Sequence, residues 1–328
     1  MMDTLVARFI DQVKEANDLF SAKSLSPAGE IRTVYIAGMG GSGIGGDFVA
    51  TLGRPGASVP IVVGKNYEIP AWIDEHTLCI CSSYSGNTEE TLTAMDAMMT
   101  RGAQIVCITS GGRMLELAEE HGHDYLQLPG GWPSPRACLG YSMVAQMYAL
   151  SGKGVLDTSL TEQIKDATAL LTQEVEDIKA RAKMIAAALD NKTAVIYSTS
   201  SLEPCAVRMR QQINENAKAL CWHHVVPEMN HNELVGWKDE RPDLVAIFLR
   251  TRDDLERNQL RMDICKDILR DLCSGIVEIY AKGRGPVAQS LYLVHLIDWV
   301  SVYLADMRSV DSVEIDVIDR LKAELAEA

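Results

Sequence analysis

The stretch TVYIAGMGGSGIGGDF, Thr33 to Phe48, places six glycines and one serine directly behind an apolar run. The run is rich in β-branched and aromatic residues, so it reads as a buried strand; the chain turns helical again near Gly43. Strand, glycine-rich turn and helix form the opening unit of an open parallel sheet, which binds ligands outside the carboxyl ends of its strands. A nucleoside triphosphate loop would need GxxxxGK, yet no lysine lies between Arg32 and Lys65. GMGGSG does match the dinucleotide pattern GxGxxG. However, the next strand, PIVVG, ends in Gly64 and Lys65, not in the acid that would hold a ribose. What remains is a serine among exposed backbone N–H groups at a helix start.

A second stretch of the same kind decides between a phosphate site and ordinary turn chemistry. TLCICSSYSGNTEET, Thr77 to Thr91, again runs from an apolar strand into a helix, with Ser82, Ser83, Ser85 and Thr88 at the junction. One such cluster is explained by N-capping. Two clusters at strand carboxyl ends instead supply many donors to one small anion, and a phosphomonoester fits.

Working outward, strands and helices alternate along the chain. An amphipathic helix over 4–20 precedes the first strand, and QIVCITS, GRMLELAEEHG and DYLQLP continue the pattern as strand, helix and strand. The pattern weakens over 145–158, ahead of one long amphipathic helix, TSLTEQIKDATALLTQEVEDIKARAKMIAAAL. This places a boundary between a domain of residues 1–152 and a second of 153–328. The alternation then restarts with TAVIYST, DLVAIFLR and GIVEIYA as strands, so the second half reads as a diverged repeat of the first. The class is α/β, with a helix-covered parallel sheet in each half.

Composition narrows the partners. With 328 residues, 47% hydrophobic and 23% charged, the chain can bury full cores and is not disordered. A net charge of −14 without a basic cluster speaks against a nucleic-acid partner. MMDTLVARFIDQVKEAN carries acids among its apolar residues and is neither signal nor transit peptide. No later window is read as the roughly 20 apolar residues of a membrane span, so the expectation is a cytoplasmic protein without membrane contact. Cys79 and Cys81 share one strand face, which means packing. His295 and Asp298 lie in the apolar run SLYLVHLIDWVSVYLA, where a buried aspartate needs a partner.

GMGGSGIGGDF followed by SSYSGNTEET resembles the sugar isomerase domain, a flavodoxin-like module that grips phosphosugars. PSPRACLGYS, QINENAK and PEMNHNELVGW extend this to a resemblance to the bifunctional phosphoglucose/phosphomannose isomerases, which carry two such domains in tandem. The resemblance covers nearly the whole chain. It implies that Gly41, Ser42, Ser83, Ser85 and Thr88 hold the substrate phosphate, and that Arg136, Glu215, His231 and Lys322 serve the chemistry. It also implies a homodimer in which His231 reaches the neighbouring site.

Aldose–ketose isomerisation wants these residue types. The sugar ring must open, which needs an acid and a base, the roles given to His231 and Lys322. A proton then moves between C2 and C1 through a cis-enediol, which needs one carboxylate, given to Glu215. The permanently charged guanidinium of Arg136 stabilises the enediolate. Neither metal nor redox cofactor is called for. In relatives that accept mannose 6-phosphate a threonine near the C-terminal tail makes room for the second epimer. SVEIDVIDRLK holds none, so glucose 6-phosphate is the expected aldose and mannose 6-phosphate the weaker one. The alternatives are a non-catalytic phosphosugar-binding protein or another enzyme built on sugar isomerase domains.

Overall fold

In the computed structural model residues 1–327 are described. They form two compact units, an N-terminal one of residues 7–172 with 283–289, and a C-terminal one of 1–6, 173–282 and 290–327. The division falls at Thr172/Gln173, inside the long helix, rather than ahead of it at 152/153. A continuous helix is a rigid rod whose partners change along its length; its first part still packs on the N-terminal unit, where Lys14 donates to Thr172 (3.4 Å).

The elements run α1 (Met2–Ala7), α2 (Phe9–Phe20), β1 (Thr33–Gly38), α3 (Gly40–Gly53), β2 (Ile61–Gly64), β3 (Thr77–Ser82), α4 (Glu89–Thr100), β4 (Gln104–Thr109), α5 (Gly112–His121), β5 (Asp124–Gln127), α6 (Leu139–Gly152) and α7 (Ser159–Leu189). They continue as β6 (Thr193–Thr199), α8 (Glu203–Ala217), β7 (Trp222–Val226), β8 (Arg241–Arg250), α9 (Glu256–Leu269), β9 (Cys273–Tyr280), α10 (Gly285–Met307) and α11 (Asp316–Ala326). The helix expected over 4–20 is broken at Arg8, which sits at φ −82°, ψ 2° between α1 and α2.

Every strand pair is parallel. The N-terminal sheet has the order β2-β1-β3-β4-β5 and the C-terminal sheet β7-β6-β8-β9. The four strands of the second correspond in order to the first four of the N-terminal sheet, β5 having no counterpart, so the repeat suggested by the sequence is a repeat of topology: in each, the first strand lies between the second and the third. All six residues of β3 are buried, Cys79 and Cys81 among them, as strands covered on both faces must be. β1 and β3 are held in register by pairs such as Ile36 with Ile80.

Two elements differ from the sequence reading. α6 runs into the region where the pattern weakened, because nearly all of LGYSMVAQMYAL is buried, the polar Ser142 and Gln146 included, leaving no exposed face and no helical period to detect. β7, built from WHHVV, is an edge strand with two histidines and partial burial. Among the described residues α10 is long and apolar enough to cross a membrane by length and composition. However, 94% of its most apolar window is buried, which marks a core helix.

Candidate active site

In the 2-1-3-4-5 order the chain reverses its direction across the sheet between β1 and β3, and the crevice beyond their carboxyl ends is the natural ligand site. Both hydroxyl-rich stretches end there. The glycines behind β1 are not a loop: α3 already begins at Gly40, and several of its glycines are demanded by close packing. A Cβ on Gly43 would lie 2.5 Å from the Gly38 carbonyl oxygen, and one on Gly38 would lie 2.9 Å from that of Ser82. α3 therefore presses its first turn onto the sheet, where no side chain fits between.

The same closeness assembles the site. Arg136, 7% exposed, sits in a short 3-10 helix, Pro135–Cys138. A Cβ on Gly41 would meet the Pro135 carbonyl oxygen at 3.3 Å and Arg136 Cα at 3.5 Å. The backbone at Gly41 and that of the arginine thus touch. Ser42 is 8% exposed, and its carbonyl accepts from Gln146 Nε2 (3.2 Å). Gln146 also donates to Ser142 Oγ (3.0 Å), which lies 3.4 Å from Ser82 Oγ. This buried polar chain ties the first turn of α3 to the end of β3.

In the second loop the Ser83 and Thr88 hydroxyls lie 2.8 Å apart, and Ser83 Oγ also accepts from the Gly86 amide (3.1 Å). Thr88 occupies the N-cap of α4 but makes no cap hydrogen bond with its side chain. The amides of the first turn of α4 have no carbonyl to meet inside the helix, and they carry the positive end of its dipole. α3 likewise starts without a side-chain cap, behind Met39. Ser85 is exposed and accepts from the Asn87 amide (3.2 Å). Gly86 holds the loop's bend at φ +69°, where a Cβ would strike the Gly111 carbonyl oxygen at 1.8 Å. Gly41, Ser42, Ser83, Ser85, Thr88 and Arg136 are thus all in the N-terminal unit, on the first turn of α3, in the loop that ends β3 or packed against them. Ser82, Ser142 and Gln146 extend that group. Lys65, at the end of β2, pairs with Asp47 over α3, while burial pushes the Asp47 carboxyl up against the pull of that lysine.

The equivalent crevice of the C-terminal unit lies beyond β6 and β8, and it is filled from within. The buried Asp254 carboxylate accepts from Thr199 Oγ1 (2.7 Å), Ser201 Oγ (3.5 Å) and the Thr251 amide (2.9 Å). A carboxylate of the chain stands where the other unit leaves its donors open.

Glu215, His231 and Lys322 belong to this C-terminal unit. Glu215 is half-buried in the last turn of α8, just ahead of Lys218, whose left-handed backbone (φ 53°) ends the helix. His231 ends a 3-10 turn, Glu228–His231, and is exposed, whereas its neighbours are tied down. Asn230 donates to Cys265 Sγ (3.0 Å) and accepts from Arg261 (3.3 Å). The Asn232 side chain accepts from the Glu233 amide (2.6 Å). Glu233 in turn accepts from the Tyr197 hydroxyl (2.6 Å) and Trp222 Nε1 (3.2 Å), with His224 Nδ1 at 2.9 Å. Burial and this carboxylate push the Tyr197 hydroxyl far up. The loop is a rigid mount for one free-standing imidazole. Lys322 is exposed on α11.

Residues 178–325 match the bacterial phospho-glucose isomerase C-terminal SIS domain family, and residues 30–123 match the SIS domain family. A bifunctional phosphoglucose/phosphomannose isomerase from Caldicellulosiruptor bescii is 36% identical, over 97% of this chain and 96% of that protein. The chain belongs to the bifunctional phosphoglucose/phosphomannose isomerase family. A relative of the same name from Aquifex aeolicus is 39% identical over 93% of this chain and 92% of its own. Among solved structures, the C-terminal domain of glucosamine-fructose-6-phosphate aminotransferase from Francisella tularensis shares the fold, with a TM-score of 0.74 at 15% identity. It covers 95% of this chain and 97% of that one. Tagatose-6-phosphate ketose/aldose isomerase from Escherichia coli does so with a TM-score of 0.69 at 12% identity, covering 96% and 95%. For this member of the isomerase family the sequence signal missed Ser142 and Gln146, which lie on the aperiodic α6, and Asp254, whose role exists only in three dimensions.

Proposed function

We propose that this protein interconverts fructose 6-phosphate with glucose 6-phosphate, and with mannose 6-phosphate as a second aldose. The observation that carries the reading is the open N-terminus of α4. Its N-cap threonine leaves the helix amides uncapped and turns its hydroxyl to Ser83, an arrangement suited to a phosphate monoester and unprofitable for the helix alone. The names of the relatives widen the aldose range beyond what the threonine-free tail suggested.

In this reading the Ser83, Ser85, Thr88 and Ser42 hydroxyls and the α3 and α4 amides bind the phosphate and orient the sugar. His231 and Lys322 exchange protons with the ring oxygen and the C1 hydroxyl as the ring opens. The Glu215 carboxylate takes the proton from C2 of the aldose and returns it to C1, and the reverse for the ketose. Arg136, lying against Gly41, stabilises the negative charge that develops on the enediolate oxygens. The protein acts as a homodimer in which each His231 serves the neighbouring site. A coupled assay of fructose 6-phosphate, reading glucose 6-phosphate and mannose 6-phosphate separately, tests the proposal. Formation of both aldoses is expected, and tight binding without either product would leave a phosphosugar-binding protein instead.

A further inference from the structure

α9 buries Met262, Cys265 and Leu269 in the core of the C-terminal unit, yet it carries a second apolar stripe facing outward. Leu260, Ile264 and Ile268, four residues apart, are 48%, 50% and 43% exposed. Successive side chains four positions apart share one helix face. Such a stripe on an otherwise charged helix is a surface meant to be covered.

The charges beside the stripe say by what. Arg257 and Arg261 lie on the N-terminal side of Ile264, and Asp267 and Asp271 on its C-terminal side. Their offsets from Ile264 are −7 and −3 against +3 and +7 along the chain. Arg257, Arg261 and Asp267 lie within about 60° of the Ile264 direction at 100° per residue, and Asp271 stands in the turn two residues beyond the end of the helix. If a second α9 is laid antiparallel across this face with a two-fold axis at Ile264, Arg261 meets Asp267 of the other copy and Arg257 faces the turn that carries Asp271. Leu260 meets Ile268, and Ile264 meets itself. A parallel arrangement would set arginine on arginine and aspartate on aspartate. The pattern is therefore self-complementary under one symmetry only, the isologous two-fold. The bond that now engages Asp267, to Arg270 one turn on, is between side chains 68% and 69% exposed, and such a pair exchanges partners at little cost.

We infer that α9 forms a two-fold, antiparallel contact with α9 of a second copy of this chain. The helix supports the His231 loop, since Asn230 is bonded to both Cys265 and Arg261, so the contact would carry that loop to the interface. The inference deepens the proposed dimer and rests on that reading only for the part played by His231.

Sedimentation equilibrium on the full chain tests it. Asp267→Arg places two arginine–arginine contacts across the axis and should weaken the dimer at least tenfold; adding Arg261→Asp restores both pairs and should recover it. Circular dichroism of each variant verifies folding, and Ile264→Glu, which puts two carboxylates on the axis, serves as the second disrupting variant. A monomeric parent, single variants as dimeric as the parent, or a double variant that fails to recover would overturn the inference. Fructose 6-phosphate turnover on the same samples separates the two readings. An Asp267→Arg monomer that still turns over keeps the α9 interface and removes His231 from the neighbouring site. An active protein whose dimer ignores Asp267→Arg keeps the isomerase and removes the α9 interface.

Discussion

Replacing Thr88 by valine removes one hydroxyl and nearly keeps the side chain's shape, and the two explanations of that hydroxyl then part. If Thr88 were an ordinary cap, the change would cost about 0.5–2 kcal/mol of stability and leave substrate handling alone. The hydroxyl makes no cap bond and lies 2.8 Å from Ser83 Oγ. Those two oxygens share one hydrogen between them; with Ser83 as its donor, the hydrogen left to point outward is that of Thr88, and valine removes it. A hydrogen bond to a charged group contributes about 1.5–3 kcal/mol, which at 1.4 kcal/mol per tenfold is a fall in kcat/KM of roughly 10- to 150-fold. Inhibition by inorganic phosphate should weaken by a similar factor while the thermal midpoint stays nearly in place. The coupled fructose 6-phosphate assay and a thermal melt measure both. A lowered midpoint with unchanged kcat/KM would refute the reasoning and return Thr88 to the helix.

Three further outcomes follow from the packing. Gly43→Ala drives a Cβ to 2.5 Å from the Gly38 carbonyl oxygen; backbone must yield to backbone, so stability should fall by about 1–3 kcal/mol and activity with it, as read by urea unfolding and turnover. Arg208 and Asp298 form a buried two-point pair at 2.9 and 2.8 Å, so Arg208→Met should cost about 3–5 kcal/mol, and Arg208→Met with Asp298→Leu should regain most of it. Burial lowers the His295 pKa to about 4 from 6.5, with Lys179 adding to the effect. The unfolded chain therefore binds this proton first, and stability present above pH 6.5 drains away as the pH falls toward 4, by about 3 kcal/mol in all. His295→Gln should flatten that part of the stability profile, and an unchanged acid limb would contradict the assignment.

Much of the fold was legible because open parallel sheets leave plain marks: apolar runs closed by small residues, and helices between them. TVYIAG and TLCICSS announced β1 and β3, and with them the crevice. Asp298 announced a partner that proved to be Arg208. Other features leave no local trace. The glycines of α3 look like a loop because their reason for being small, the approach of Gly38 and Ile36, is tertiary. α6 has almost no exposed face and so no period. Asp254 resembles any acid before a helix until β6 brings Thr199 to it. Glu215 and His231 were singled out by their neighbours in the family's motifs, and Lys322, one lysine of a charged helix, by the resemblance alone.

The central claim is that a carboxylate of this chain moves a proton between C2 and C1 of a phosphosugar. Fructose 6-phosphate incubated in heavy water with the parent protein and with Glu215→Gln tests it directly. The account predicts deuterium at C2 of the aldose formed by the parent, with no turnover and nearly unchanged phosphosugar affinity in Glu215→Gln. Aldose formed at parental rates by Glu215→Gln, or product from the parent that stays without any label even after prolonged incubation, would contradict it.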